Sequence, residues 1–232
     1  MEITVSEAAR QLGVSSQRVR ARIADGSLPA RRASSTWLVD SDDVARLQEW
    51  ARQGGRPASP ARGWALLDLL GGGPASAVKP DVRSKLRSRL VKLAGAKAAG
   101  WRRELDGRSD VVRVRSLPSA QDRLVADGAV LAGPAEAIRV GLDLVAVDPM
   151  PELYVLADRW PDLKRRYLLR EGGPDVNMVV RLPRQTWPFD EAGASAVILA
   201  ADLLESDEPR AVAAGLAKLN ATARAVLEGR ER

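Results

Sequence analysis

Apolar residues at the start of the chain recur at helical spacing in two short stretches. Residues 6–12 form the first stretch, which predicts a helix capped by Ser6. The turn at 13–15 contains a glycine, and Ser15 or Ser16 is expected to cap a second helix. Two helices joined by a three-residue turn that contains glycine are predicted to form a helix-turn-helix.

The second helix has one apolar and one polar face. Val19 and Ile23 lie one turn apart and are predicted to face the core. At about 100° per residue, the opposite side carries Gln17 and Ala21, with an arginine on either flank. A small residue beside Gln admits a helix into a DNA groove, where Gln and Arg can form bidentate hydrogen bonds with base edges. The pattern therefore predicts a recognition helix.

Residues 28–39 have apolar residues on either side of a polar tip. This pattern predicts two short strands, a wing, after the recognition helix. Trp37 alternates with Leu38 and Val39, which favours packing of its ring on the core over a DNA contact. A further helix begins within residues 40–43, and its predicted inner face carries Val44, Leu47 and Trp50.

A stretch rich in glycine, proline and serine follows. Such residues break helices and strands, so residues 54–63 are predicted to form a linker. The chain would then consist of a winged helix-turn-helix domain at 1–53, this linker, and a C-terminal domain at 64–232.

The C-terminal domain begins with helical periodicity and continues with alternating strand-like and helical stretches. Within residues 80–100, helical spacing relates Val82, Leu86, Leu90 and Leu93. Strands are predicted at 111–115, 129–131, 152–156 and 176–182, and helices near 119–126, 134–140, 158–168, 194–205 and 209–228. We therefore expect an α+β protein, in which a larger mixed α/β domain ends in two helices.

The amino-acid composition excludes several kinds of catalytic and metal-binding site. The 232 residues include no cysteine and no histidine, which removes disulfides, thiolate metal sites and the commonest general base and zinc ligand. Asp143, Asp148 and Glu152 could surround a hard metal ion, but their spacing does not require convergence, and nearby prolines suggest a surface turn. We expect no enzymatic activity, no cofactor and no metal site.

Hydropathy gives an expectation about location. Apolar residues make up 45% of the chain and charged residues 28%, as in soluble globular proteins. No apolar run approaches the ~18 residues of a spanning helix, and the N-terminus lacks the basic start and apolar core of a secretory signal. A cytoplasmic protein is expected.

The whole chain has a net charge of +6. Its positive charge is concentrated in the first half. Residues 54–115 carry 14 Lys/Arg against five Asp/Glu, whereas residues 116–232 carry 14 against 18. Within residues 1–53, six arginines precede an acidic stretch that begins at Asp40, and Asp25 is the acidic residue that opposes them. This distribution predicts a local basic patch of the kind that nucleic-acid binding requires.

The helix at 82–93 also carries several basic residues, namely Lys85, Arg87, Arg89 and Lys92. These side chains could add phosphate contacts to those of the first domain. They could equally form the solvated face of an amphipathic helix that packs on its own domain. The sequence favours neither interpretation.

The recognition helix and wing together supply the predicted DNA contacts. Gln17, Arg18 and Arg20 are expected to contact bases in the major groove. Phosphate or minor-groove contacts are expected from the wing and from Arg22, which lies nearer the core. The complete predicted set is Ser16, Gln17, Arg18, Arg20, Arg22, Arg31, Arg32, Ser34, Ser35 and Thr36.

The first fifty residues carry a family resemblance. The sequence ITVSEAARQLGVSSQRVRARIADGSLPARR, followed by TWLVDSDDVARLQEW, closely resembles the winged helix-turn-helix of excisionases and MerR-type regulators. The resemblance implies DNA binding through the second helix and the wing. The wing tip departs from the family pattern, because Ala33-Ser34-Ser35 stands where a glycine would be expected.

A second resemblance covers most of residues 64–219. The succession WALLDLLGG, SKLRSRLVKL, ELYVLADRWPDLKRRYLL, DVNMVVRLP and AADLLESDEPRAVAAGLAKL is similar to the C-terminal domain of AbiEi-type antitoxins. It implies a repressor of its own operon that binds operator repeats in double-stranded DNA and counters a nucleotidyltransferase toxin. The oligomeric state stays open, a dimer on DNA included. Asp202 and Arg210, within the clearest segment, are interpreted as helix-end and capping charges.

Two other functions remain as alternatives. The same winged domain could serve an excisionase-like recombination directionality factor or an architectural factor that bends DNA. An enzyme acting on nucleic acid through a carboxylate–metal site is a third hypothesis, which turnover with Mg²⁺ or Mn²⁺ would support.

Overall fold

The computed structural model describes residues 2–24, 28, 30–33, 36–52, 59–145, 149–173, 175–183, 189, 193–206 and 208–229. The chain divides into two compact units, residues 1–57 and 58–232. Helices and strands are mixed in both, so the predicted α+β class is confirmed. Within the described part of the chain, no helix is both long and apolar enough to cross a membrane.

In its described residues, the first unit combines three helices with a three-stranded sheet. Its elements are β1 (Glu2–Thr4), α1 (Val5–Leu12), α2 (Ser16–Ala24), β2 (Ala30–Ala33), β3 (Thr36–Asp40) and α3 (Ser41–Arg52). The predicted helix-turn-helix, wing and third helix are therefore present. Strand β1 was not predicted, because three residues are too few to show a period. It pairs antiparallel with β3, which gives the sheet order β1-β3-β2.

Helix α1 begins one residue earlier than predicted and has a different cap. The side chain of Thr4 accepts a hydrogen bond from the backbone N–H of Glu7, and the Glu7 carboxylate accepts one from the backbone N–H of Thr4 at 2.8 Å. This reciprocal arrangement is a capping box, which satisfies two backbone donors at once. The prediction that Ser6 caps the helix is therefore wrong, since Ser6 lies inside its first turn.

The core of the first unit is formed by one apolar face from every element. Val19 of α2, Val39 of β3 and Val44 of α3 are all fully buried, and Leu47 joins them as predicted. Trp37 packs half-buried against the same cluster, which confirms the prediction that it holds the wing on the core. The side chain of Trp50 lies outside the described residues.

The second unit contains eight helices and a five-stranded sheet within its described residues. The elements are α4 (Pro60–Leu70), α5 (Pro80–Leu93), α6 (Ala98–Leu105), β4 (Ser109–Arg115), α7 (Ala120–Ala126), β5 (Val130–Ala132), α8 (Gly133–Arg139), β6 (Glu152–Tyr154), α9 (Trp160–Arg166), β7 (Arg170–Glu171), β8 (Met178–Pro183), α10 (Ala196–Leu203) and α11 (Pro209–Glu228). Every strand and helix predicted for this part of the chain is found near its expected position. Helix α6 and the two-residue strand β7 were not predicted.

The start of the second unit differs from the predicted linker at 54–63. Helix α4 begins at Pro60, so the last residues of that stretch are helical. Proline suits the first helical position because it lacks the N–H that would have no partner there. The part of the predicted linker at 54–58 lies outside the described residues.

Strand β8 lies at the centre of the sheet, whose order is β5-β6-β8-β4-β7. It pairs parallel with β6 and antiparallel with β4. All six of its residues are buried, so the strand is covered on both faces. Met178, Val180 and Leu182 join a smaller core with α7 and α9, and the helices α4, α5, α10 and α11 form a larger core on the other side.

A buried ionic cluster joins the sheet to helix α10. The Asp202 carboxylate accepts hydrogen bonds from Nη2 of Arg108 and from the Tyr154 hydroxyl, both at 2.5 Å. The guanidinium groups of Arg108 and Arg181 each donate to Glu205, also at 2.5 Å. We call Arg108, Tyr154, Arg181, Asp202 and Glu205 the ionic cluster.

The ionic cluster overturns the interpretation of Asp202 as a helix-end charge. Asp202 is 2% exposed and contacts both Arg108 and Tyr154, so it binds the elements of the unit together. Burial opposes ionisation of Glu205, but the two arginine charges outweigh it and lower the pKa of that carboxyl to about 2. Glu205 therefore carries its charge at neutral pH.

Candidate nucleic-acid interface

The turn between α1 and α2 is set by Gly13 and Ser15. Gly13 has a φ of 65°, a left-handed conformation that glycine adopts without steric cost, and its N–H donates to the carbonyl of Arg10 at 3.3 Å. The Ser15 hydroxyl accepts a hydrogen bond from the backbone N–H of Arg18 at 3.3 Å. Ser15 is therefore the cap of α2, and Ser16 is the half-buried first residue of that helix.

Helix α2 presents the two faces that the sequence predicted. Val19 has no exposed surface, and Ile23 packs half-buried against the same core. Gln17 and Ala21 are exposed on the opposite side of the helix. The recognition face thus has a long amide side chain beside a methyl group.

The three arginines of α2 differ in exposure. Arg18 and Arg20 are exposed, and they lie about 100° to either side of the buried Val19. Arg22 is half-buried at the edge of the core, where the sequence placed it. The exposed pair therefore flanks the face that carries Gln17, and Arg22 lies apart from it.

The β2–β3 hairpin separates its two arginines onto opposite faces, because strand side chains alternate. Arg32 is in register with Trp37, and its guanidinium lies 5.9 Å from the centroid of that ring, within the range of a cation–π contact. Thr36 is exposed at the end of the hairpin. Ser34 and Ser35 lie outside the described residues.

Arg31 is paired with a residue that the sequence did not link to it. Both Nε and Nη2 of Arg31 donate to the carboxylate of Glu2, with Nε 2.5 Å from Oε1. The hydrogen bond from Arg31 lowers the pKa of the Glu2 carboxyl. Asp25 is therefore not the one acidic residue opposing the arginines. No signal in the sequence could join Glu2 to Arg31, because β1 was not predicted.

The end of α1 is held by a second contact that the sequence did not indicate. The side-chain amide of Gln48, on α3, donates a hydrogen bond to the backbone carbonyl of Gln11. Helix α3 thereby fixes the helix that precedes the turn. Helix α2 in turn packs on α1, and its Val19 joins the apolar core to which all three helices contribute.

Comparison with known protein families finds a match in this unit. Residues 2–53 match the helix-turn-helix domain family. The N-terminal unit is therefore similar to a helix-turn-helix domain, which supports a role in DNA binding. The match ends at residue 53, within the first unit, and does not extend to the second unit. No curated protein and no solved structure matches the chain.

The helix-turn-helix domain brings together most of its predicted DNA contacts. Gln17, Arg18 and Arg20 share the exposed side of α2, and Arg32 and Thr36 lie on the hairpin that follows. Such an arrangement can place amide and guanidinium groups in a major groove while the hairpin contacts the backbone. A DNA contact of Arg31 would compete with Glu2, whose carboxylate already binds its guanidinium.

Proposed function

We propose that this protein is a sequence-specific transcriptional regulator that binds double-stranded DNA with α2 in the major groove. The observation that carries the proposal is the exposed Gln17 and Ala21 face of α2, opposite the fully buried Val19. Because Val19 is packed in the core, it fixes the rotation of α2 about its axis, and Gln17 and Ala21 therefore stay exposed to solvent. The proposed role requires no catalytic step.

The dimensions of α2 support groove insertion. An α-helix with its side chains is about 10–12 Å across, which fits the ~12 Å width of the major groove, and the nine residues of α2 extend about 13 Å along the helix axis. Ala21 adds little bulk at the closest approach, which lets Gln17 reach a base edge. Gln favours adenine, and Arg18 or Arg20 favours guanine, through bidentate hydrogen bonds.

Contacts to the DNA backbone come from the remaining residues of the set. Arg22, Arg32 and Thr36 fit phosphate or sugar contacts, which position the domain without reading sequence. Arg31 contributes only in competition with Glu2, whose carboxylate it already binds. The guanidinium of Arg31 can therefore bind a phosphate only when it leaves the carboxylate of Glu2.

The proposal is tested by selecting a preferred duplex from a random pool and measuring binding by fluorescence anisotropy. Gln17→Ala and Arg18→Ala are each expected to cost about 1–3 kcal/mol on the selected duplex and much less on a random one. Glu2→Gln is expected to act in the opposite direction. It releases Arg31, so it should strengthen binding to both duplexes and steepen the dependence on salt by about one phosphate contact.

The matched control is Arg224→Ala, which removes an exposed arginine from α11 of the second unit. It should leave discrimination between the two duplexes unchanged. Equal losses on selected and random DNA for Gln17→Ala and Arg18→Ala would show that α2 does not read bases. Failure of the chain to select any duplex would overturn the proposal as a whole.

We further propose that the regulator is the antitoxin of a two-gene module, repressing its own operon and countering a nucleotidyltransferase toxin. The support is the similarity of residues 64–219 to AbiEi-type antitoxins. These residues lie in the compact second unit, which would carry the antitoxin role. Co-expression with a nucleotidyltransferase encoded beside it should restore growth. Persistent toxicity, with the protein present and folded, would exclude this role and leave the DNA-binding proposal intact.

A further inference from the structure

Part of one face of the five-stranded sheet is exposed at β4 and β7. Val114 of β4 is fully buried in the smaller core. Because strand side chains alternate, Arg113 and Arg115 on either side of it lie on the opposite face, and both are exposed. On β8 that opposite face is buried, and its Arg181 belongs to the ionic cluster. The exposed part of the face is therefore the part formed by β4 and β7.

Three guanidinium groups lie on this exposed face. Arg115 pairs directly with Arg170 of β7, which is also exposed, and Arg113 lies two residues, about 7 Å, along β4. We call Arg113, Arg115 and Arg170 the arginine surface. Asp175 lies 3.3 Å from Arg115, but the two side chains are 60% and 69% exposed, so this ion pair is weak. Among the described residues, no acidic side chain pairs with Arg113 or Arg170.

The acidic residues nearest in sequence lie on the other face of the sheet. Glu171 of β7 is in register with Val114, and its carboxylate lies 2.8 Å from Nζ of Lys164. The same carboxylate accepts a hydrogen bond from Nε1 of Trp160 at 3.1 Å. Asp110 lies four residues before Val114 on β4, so it also belongs to the side of the smaller core. The arginine surface therefore keeps an excess of positive charge.

Protection of a sheet edge does not account for the arginine surface. A charged side chain on an edge strand hinders pairing with another sheet, and Arg170 on β7 fits that role. Arg113 and Arg115 do not, because β4 has a neighbouring strand on each side. Like charges directly opposite each other, as in the pair of Arg115 with Arg170, destabilise a sheet. An arrangement that costs stability in this way is expected at a functional surface.

We propose that the arginine surface binds the phosphate backbone of double-stranded DNA and adds non-specific contacts to the base contacts of α2. The proposal rests on the proposed function, which supplies the duplex. Guanidinium groups bind phosphate oxygens through paired hydrogen bonds. One DNA strand carries a charge about every 3.4 Å along the axis, so groups about 7 Å apart can bind different phosphates. Because the two units share one chain, a duplex bound by α2 stays near the second unit, and weak contacts then add to the overall affinity.

The test measures binding of the full-length chain to the selected and random duplexes by fluorescence anisotropy at about 50 and about 200 mM salt. The double variant Arg113→Ala/Arg170→Ala should weaken binding to both duplexes alike, because phosphate contacts carry no sequence information. The salt dependence should become shallower by about 1.8, since each lost phosphate contact contributes about 0.9. The loss of affinity is then roughly tenfold greater at the lower salt concentration than at the higher one.

The matched control is Arg87→Ala/Lys92→Ala, which removes two exposed cations from α5 and lowers the net charge equally. It should leave the affinity and the salt dependence nearly unchanged, and an equal loss would overturn the assignment to β4 and β7. Thermal unfolding adds a second measurement. Arg170→Ala removes the like charge opposite Arg115, so the Tm should stay equal or rise. A clear fall in Tm would show that these arginines stabilise the sheet, and would overturn the functional argument.

Failure of this proposal is distinguishable from failure of the proposed function. Gln17→Ala is expected to lose affinity for the selected duplex, whereas Arg113→Ala/Arg170→Ala should lose it for both duplexes. Unchanged binding by the double variant, or a loss confined to the selected duplex, would overturn the arginine surface as a phosphate site and leave the role of α2 intact. If the chain selects no duplex, the measurements on random DNA still decide whether the arginine surface binds phosphate.

Discussion

Replacing Asp202 by alanine is expected to destabilise the second unit by about 3–5 kcal/mol. The substitution leaves Arg108 without one of its two carboxylates and leaves the buried Tyr154 hydroxyl without its acceptor. For a unit of this size, such a loss corresponds to a fall in Tm of roughly 6–20 °C. Thermal unfolding followed by circular dichroism measures it.

Two further variants show whether charge is the cause. Asp202→Asn keeps an acceptor for Tyr154 but removes the charge, so its loss should be smaller than that of the alanine variant. Asp162→Ala breaks the exposed pair with Arg165 and should change stability by less than about 1 kcal/mol. If Asp202→Ala and Asp162→Ala behave alike, the ionic cluster does not hold the sheet to α10.

Replacing Val19 by aspartate is expected to unfold the helix-turn-helix domain and abolish DNA binding. Val19 is fully buried in a cluster of apolar residues, where an unpaired carboxylate costs several kcal/mol. A unit of fewer than 60 residues has little stability to lose. Affinity for the selected duplex should fall at least about a hundredfold, as measured by anisotropy.

Ala21→Asp is the companion variant, two residues along the same helix. Ala21 is exposed, so the domain should stay folded, yet the new carboxylate would face the phosphates and bases of the groove. Both variants are expected to lose binding, and Val19→Asp alone is expected to lose helical signal. Normal binding by Ala21→Asp would place DNA on another surface of the domain.

The first unit could be predicted well because its signals are local. The glycine of the turn, the cap at Ser15 and the burial of Val19 each follow from residues close together in the chain. The pairing of Arg31 with Glu2 could not be predicted, since those residues are 29 positions apart and meet across β3. A charge count along the chain therefore overstated the free positive charge of the wing.

In the second unit, sequence patterns predicted the positions of most helices and strands along the chain, but they did not predict which side chains come into contact. Helix α6 escaped prediction although Trp101 and Leu105 are one turn apart and both buried, a signal that was present. The role of Asp202 had no such signal. Its partner Arg108 lies 94 positions away, and an acidic residue near the end of an apolar helix looks the same whether it caps or is buried. Only the assembled sheet distinguishes the two.

The position of β8 in the sheet determines when the sheet can form during synthesis of the chain. The central strand is also the last of the five to be synthesised, so the strand that lies between β6 and β4 is missing until residue 183 has left the exit tunnel. The first unit, whose pairings all lie within its own residues, is complete long before that. The first unit can therefore fold while the five-stranded sheet of the second unit still lacks its central strand.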